Sequence, residues 1–222
     1  MVALIKRVLL KHDKLYLGAA YIYSLFGRNK VRGRRNLDLQ RRGAFLCKCR
    51  IDNYGKGNKV FIGADCKLKC CQFEIHGDNN IVEISRGVTG SQAQFYVSDG
   101  SVIKVGPDVD FSGEIEIASL EGATVSIGES CLFSSGIRIR NGDSHSIFDA
   151  DGHRINHAVN VVIGDRVWVG QQVAILKGAD IGSGSVIGMR SLVTNKSYPK
   201  NCVLVGTPAR MVKSNITWDY RT

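Results

Sequence analysis

Between Val161 and Val193, in VVIGDRVWVGQQVAILKGADIGSGSVIGMRSLV, a large aliphatic residue returns at every sixth place: Ile163, Val169, Ile175, Ile181, Ile187 and Val193. A small or β-branched residue stands two places before each, at Val161, Val167, Val173, Ala179, Ser185 and Ser191. A helix repeats its apolar face about every 3.6 residues and a strand about every 2, so neither accounts for a repeat of six. A chain that turns a corner every six residues does. Each hexapeptide is then one short strand plus a corner, and three of them close a triangular coil. Gly164, Gly170, Gly182 and Gly188 follow the aliphatic place, where a corner favours a residue with few backbone restrictions. The stretch predicts an all-β solenoid, a parallel β-helix with one continuous core.

Upstream the same rhythm is worn. Ile62 and Leu68 are six apart with Val60 and Cys66 two before them; Ile75 and Ile81 continue in a shifted frame, which implies a small insertion at a corner. Val97 and Ile103, then Val105, Phe111 and Ile117, then Ile127, Phe133 and Ile139 give three further frames. Cys66 and Cys131 fall on inward places and read as core filler. Cys47, Cys49, Cys70 and Cys71 have no second pair at zinc-finger spacing, so packing is the simpler account and no metal is expected. Seven cysteines without a small secreted framework suit a reducing cytoplasm. The rhythm stops over residues 140–160 and restarts in strict form, which describes a loop thrown outward from a rigid scaffold. His145, His153 and His157 lie in that loop, and an imidazole there is a candidate general base as well as a plain solvated side chain.

The formal net charge is +10, which directs attention to an anionic partner. Arg28, Lys30, Arg32, Arg34, Arg35, Arg41, Arg42, Lys48 and Arg50 are opposed within their segment only by Asp38. Such a run is a solvated face or a landing strip for acidic lipid or an acidic polysaccharide. Little aromatic interleaving and the lack of a recognised motif argue against nucleic acid. The uncharged run Leu15 to Gly27 is 13 residues, short of the roughly 20 that span a bilayer. Leu4, Ile5, Val8, Leu9 and Leu15 can share one helical face, so residues 1–50 are expected to be a helical and basic extension that either flanks the solenoid or touches a membrane peripherally. Residues 51–205 are expected to be the β-helix with loop 140–160, and 206–222 a C-terminal tail.

The hexapeptide run, the loop with DSH, VVIGDRVWVG and VLVGTPARMVK together resemble the left-handed β-helix acyltransferases, the hexapeptide-repeat or isoleucine-patch family, and within it bacterial sugar and polysaccharide O-acetyltransferases. The resemblance is strong over 127–213, plausible back to about Val60, and absent before that. It implies a homotrimer with acetyl-CoA in a groove between neighbouring solenoids, and a loop histidine, matched here by His145, that takes the proton of an acceptor hydroxyl. Asp143, with Asp149 as a rival, would orient that imidazole. Trp168 would stand beside the thioester. Gly170, Gln171 and Met189 would line the pantetheine arm, and Thr194, Lys196, Arg210 and Lys213 would hold the nucleotide end, where cations suit phosphates.

The chain departs from that pattern where some relatives carry His-Pro, since Ser146 follows His145, and where they bind the acceptor, since Ser112, Gly113 and Glu114 stand near Phe111. The DSHSIFD and GHRIN wording is more similar to enzymes acting on surface polysaccharides, capsule or lipopolysaccharide, with an acidic glycan such as one carrying sialic acid in keeping with the basic segment. The resemblance implies a cytoplasmic enzyme, at most peripheral to the inner membrane. Three other readings stand beside it: N-acylation of an amino sugar nucleotide, whose enzymes usually add a nucleotide-binding domain; a zinc enzyme similar to the β-helical carbonic anhydrases; and a non-enzymatic trimeric scaffold.

Overall fold

The computed structural model describes residues 13–220. After helix α1, Asp13–Phe26, the chain winds as a triangular prism of three sheets, closed at its C-terminal end by one hairpin strand, Ala209–Lys213, antiparallel to Val203–Gly206. Sheet 1 runs from Lys30–Arg32 to Leu192–Val193, sheet 2 from Leu37–Arg41 to Ser197–Tyr198, and sheet 3 from Phe45–Cys47 to Val203–Gly206. Within each sheet successive coils pair in parallel, so the strand backbone N–H and C=O groups pair with the coil above or below. This is the parallel β-helix expected from the repeat, with the left hand that the family resemblance implies.

The coils come in two sizes. Register partners on sheet 1 advance by 22 residues, from Arg50 to Gln72, Gln94, Glu116 and Arg138, but by only 18 from Ala174 to Leu192. The extra residues gather where sheet 1 hands over to sheet 2: residues 54–57, 77–80, 99–101 and 120–123. Loop 141–160 occupies the same corner one coil later. Both size classes bury their alternating residues, and the six aliphatic and six small places between Val161 and Val193 are all buried. The wider coils are filled by aromatic rings, Phe73 stacked on Phe95 at 4.8 Å and Phe111 against Phe133 at 5.3 Å.

At the enlarged corner a ladder of buried amides replaces the apolar fill. Asn58 Nδ2 donates to Asn53 Oδ1 at 2.7 Å, Asn80 Nδ2 donates to Asn58 Oδ1 at 3.0 Å, and the Ser101 N–H donates to Asn80 Oδ1 at 3.0 Å. Two coils on, Asn141 Nδ2 donates to Ser119 Oγ at 2.7 Å while its Oδ1 accepts from the Leu120 N–H at 2.8 Å. Each rung satisfies backbone groups that a widened turn would otherwise orphan. Asn141 is the last rung and the first residue of the loop.

Two expectations change. The solenoid begins at Lys30, not near residue 51: strands Lys30–Arg32, Leu37–Arg41 and Phe45–Cys47 are a complete first coil inside the segment expected to be an extension. Its Arg and Lys side chains alternate outward from strands whose inward places, Leu37 and Leu46, join the core, and this alternation was hidden by the charge run. The amphipathic pattern from Leu4 to Leu9 lies outside the described residues. The corner glycines Gly164, Gly170, Gly182 and Gly188 are needed for closeness rather than for a left-handed backbone. A Cβ on Gly182 would meet the Lys200 N at 2.4 Å, and one on Gly170 would meet the Ile187 O and the Met189 N at 2.8 Å, so successive coils stack there without room for a side chain.

Candidate active site

Loop 141–160 folds back on itself, with the Ile155 N–H donating to the Ile147 O at 2.9 Å and Phe148 bridged to Arg154. Asn156, almost fully buried, organises it. Its Nδ2 donates to Asp143 Oδ2 at 2.9 Å and to the His145 carbonyl at 2.7 Å, and its Oδ1 accepts from the Ile147 N–H at 2.7 Å. Lys177 closes the base, donating to Asp143 Oδ2 at 2.6 Å and to the Asn156 carbonyl at 3.2 Å. The bond from Lys177 and then the one from Asn156 Nδ2 hold the Asp143 carboxyl below the usual carboxylate range. Glu121 on the preceding coil grips the far side: Arg154 donates to Glu121 Oε1 and the Ala158 N–H to its Oε2, and the Arg154 guanidinium lowers the Glu121 carboxyl likewise.

His145 is therefore fixed through its backbone, and its imidazole stands exposed. Asp143, expected to orient that ring, instead serves Lys177 and Asn156 and acts on the histidine only through Asn156. Asp149 turns to His153, accepting from its backbone N–H at 2.8 Å with the Nδ1 at 3.5 Å. Among the described residues the one group placed to hold a metal is Asp149, Asp151 and His153, all exposed, so the three loop histidines do not converge as a zinc site requires.

Beside the loop base a cavity of about 690 Å³ runs along the sheet 1 side of the enlarged corners. Its walls include Gln94, Tyr96, Glu116, Arg140 and the loop residues Asp143 and Ser144. Tyr54, His76 and Tyr96 stack along its rim at 4.8 and 5.1 Å. Glu116 is paired with Arg140 at 3.0 Å and lies 3.8 Å from Arg138. The lining carries five carboxylates, Glu74, Asp99, Glu116, Glu121 and Asp143, beside the single guanidinium of Arg140, with amides and aromatic faces between them; such a groove suits sugar hydroxyls and ring C–H groups, and its size is that of a typical ligand site. Sequence reasoning missed it. Tyr54 and His76 are 22 residues apart, the coil period, and that spacing was the available signal.

On sheet 3, Trp168 is 40% exposed, as a residue at a narrow corner must be. The tail after Lys213, expected only as a terminal segment, climbs back over three left-handed corner residues. The Ile216 N–H donates to the Asn201 O at 3.0 Å, Trp218 Nε1 to the Arg166 O at 2.8 Å, and the Tyr220 hydroxyl to the Ser130 O at 3.1 Å. Trp218 thereby lies 6.1 Å from Trp168, tilted by 45°, with Tyr220 5.2 Å beyond, and burial raises the Tyr220 hydroxyl above its ordinary pKa. Trp218 and Tyr220 share one face of an extended segment, a pattern too short to recognise in the sequence.

The expected residues divide between two sides of the prism. His145, Lys177, Thr194 and Lys196 lie along the edge where sheet 1 meets sheet 2. Trp168, Arg210 and Lys213 lie on sheet 3, opposite that edge, and Gln171 and Met189 turn the corner from sheet 3 to sheet 1. Gln171 donates to Ser135 Oγ at 3.3 Å, Lys196 sits 5.8 Å over the Tyr198 ring, and Met189 is 61% exposed. One protomer thus holds the base and the tryptophan on different faces.

Residues 160–195 match the family described as bacterial transferase hexapeptide, six repeats. The chain is 35% identical over 166 residues to a polysialic acid O-acetyltransferase of Neisseria meningitidis, covering 74% of this chain and 76% of that protein. A polysialic acid O-acetyltransferase of Escherichia coli O1:K1 is 35% identical over 120 residues, 54% of this chain and 38% of that longer protein. The crystal structure of the polysialic acid O-acetyltransferase OatWY superposes with a TM-score of 0.70 at 30% identity, covering 87% of this chain and 89% of that one.

Proposed function

The chain belongs to the hexapeptide-repeat acetyltransferases, and on that premise we propose that it moves an acetyl group from acetyl-CoA to a hydroxyl of a surface-polysaccharide sugar. The observation that carries this reading is the meeting of the His145 loop with the 690 Å³ groove of polar pairs and stacked aromatic rings. His145 takes the proton of the acceptor hydroxyl as its oxygen attacks the thioester carbonyl. The tetrahedral oxyanion collapses, the C–S bond breaks, and the imidazolium returns its proton to the departing thiolate. Asn156, Asp143 and Lys177 are positioning residues that hold the His145 backbone through these steps.

The donor is a substrate of two faces. Trp168 and Gly170 border the thioester and pantetheine, Gln171 and Met189 the arm beyond, and Thr194, Lys196, Arg210 and Lys213 offer hydroxyl and cations to the phosphates. Because these residues are split between one edge and the opposite sheet, the complete site joins the edge of one protomer to sheet 3 of the next. The loop hairpin supports this arrangement, since Ile147, Phe148 and Ile155 are all more than half exposed and suit a neighbouring solenoid. A heterologous contact of this kind closes into a ring, and the homotrimer typical of the hexapeptide family is the ring we propose. The donor implies the cytoplasmic side of the membrane.

Thiol release from acetyl-CoA against a panel of acidic and neutral polysaccharides, with light scattering for molar mass, tests the reading. Wild type is expected to release coenzyme A with at least one glycan, and His145→Ala to lose about 100-fold or more. Equal release by both proteins on every acceptor would remove His145 as the base, and a monomer active at wild-type rate would remove the shared site.

A further inference from the structure

Helix α1 turns a small face to the protein and a large apolar face away from it. Ala20, Ser24 and Gly27, spaced by four and three, are buried, and Ser24 Oγ donates to the Ala44 O at 3.0 Å while accepting from the Leu46 N–H at 3.1 Å. Tyr21, Ile22 and Leu25 are more than half exposed and Phe26 is 82% exposed. Four large apolar side chains in one stripe on an otherwise anchored helix are a patch, not scattered surface residues. Tyr23, also on the helix, meets Phe45 edge-on at 5.7 Å.

The same end of the solenoid carries the basic run, now wound into the ring of the first coil, against which the helix packs. Arg41 and Arg42 share with Tyr21 and Ser24 a hollow of about 130 Å³. Arg28 directly follows the helix in a left-handed conformation, and the Lys48 N–H donates to the Gly27 O. Arg32 and Arg50 are committed to the buried Asp52. This ring sits on the first coil, whereas the acceptor groove spans the middle coils, so the cations and the glycan cleft are different places on the molecule.

We propose that the N-terminal end of the solenoid is a docking surface for an anionic lipid bilayer, with Tyr21, Ile22, Leu25 and Phe26 entering the interface and Arg28, Arg41, Arg42 and Lys48 meeting lipid phosphates. An acidic glycan would engage the cations but has no use for the apolar stripe. A second copy placed face to face would bring two like-charged rings together. A bilayer surface uses both features, since apolar burial and attraction to anionic headgroups add in interfacial helices. No helix among the described residues is long and apolar enough to cross a membrane, so α1 would lie on the surface. The enzyme would thereby be held where lipid-linked glycan is presented. This inference is independent of the acetyl-transfer reading, because it concerns a face the reaction does not use.

Flotation of the full chain with phosphatidylglycerol-containing and with pure phosphatidylcholine vesicles, at low and high salt, tests it. Wild type is expected to float with the anionic vesicles and to be released by salt. Leu25→Glu combined with Phe26→Glu, at exposed positions, should lower partitioning by about 10-fold or more, and Arg41→Glu with Arg42→Glu by a similar factor. Circular dichroism and turnover of a soluble acceptor should be unchanged in both variants. Three results would overturn the proposal: no flotation with anionic vesicles, flotation indifferent to the Leu25 and Phe26 substitutions, or a change of molar mass when Phe26 becomes Glu, which would give the face to a second copy.

Discussion

The coils before the loop and the coils after it share three sheets but differ by four residues per turn, 22 against 18. All of the surplus is spent where sheet 1 passes to sheet 2. The wide coils fill their larger section with Phe73, Phe95, Phe111 and Phe133, while the narrow coils use Ile and Val. A solenoid tolerates such growth because each coil contacts only its neighbours, so a corner can lengthen without moving the sheets. Function divides along the same line. The widened corners carry the groove, the amide ladder and finally the loop, whereas the strict coils offer a straight wall with closely stacked corners and one exposed tryptophan. The loop is the last and longest member of a series rather than an isolated insertion.

The largest test of this division lies in the loop. Asn156→Ala removes four hydrogen bonds of the loop, to the His145 carbonyl, Asp143, the Ile147 N–H and Arg154, and kcat is expected to fall about 100-fold with little change in the KM for acetyl-CoA. An unchanged kcat would mean that the wide-coil corner does not prepare the base. Next comes the ladder that supports it. Asn80→Ala leaves the Ser101 N–H and the His76 carbonyl without their amide partner, which should cost about 1–3 kcal/mol in urea unfolding. Its counterpart in the strict coils is Ser185, whose Oγ donates to the Pro199 O at 3.2 Å and accepts from the Cys202 N–H at 3.3 Å. Ser185→Ala should cost about 0.5–1.5 kcal/mol, since fewer and longer bonds are lost. Equal costs would erase the distinction between the two corners.

The two halves were also unequally legible in the sequence. From Val161 to Val193 every hexapeptide is complete, so six matches fall in one frame and the fold can be read from it. Upstream, each added corner residue shifts the frame, and a search at six meets fragments such as Ile62 and Leu68 where the true repeat is 22. The first coil was masked further, because Arg and Lys on its outward places look like a charged extension once its short strands are not recognised. Within the site, His145 was visible from its DSH context and Trp168 from its corner. Asn156 was not, since a buried loop amide has no pattern until its partners Asp143 and His145 are in space. Trp218 reaches Trp168 across 50 residues of chain, a contact that no local period encodes.

Glycines give a finer contrast. A Cβ on Gly182, in the strict coils, would stand 2.4 Å from the Lys200 N, so Gly182→Ala must move a coil and should cost about 1–3 kcal/mol. Gly100, in a widened corner, has φ +75° and open space around a would-be Cβ. Gly100→Ala should cost only the left-handed conformation, about 1 kcal/mol. A reversal of that order in urea midpoints would show that the wide corners, not the narrow ones, are the tightly constrained part.

The smallest effect is titration of the loop's base. The Asp143 carboxyl is held low by Lys177 and then by Asn156, so the unfolded chain binds that proton more readily than the folded one. The stabilisation is therefore present above the unfolded value of about 3.9 and is lost as pH falls through the folded value. With Asp143 44% exposed, solvent screening keeps it below about 1 kcal/mol, and it belongs to the loop rather than to the prism. Lys177→Met should raise protease cleavage within 141–160 at neutral pH, and the gap between variant and wild type should close once the pH has fallen below the folded value, where Asp143 is protonated in both. If the gap persisted at that pH, Lys177 would act by packing alone, and the edge of the narrow coils would support the loop without its charge.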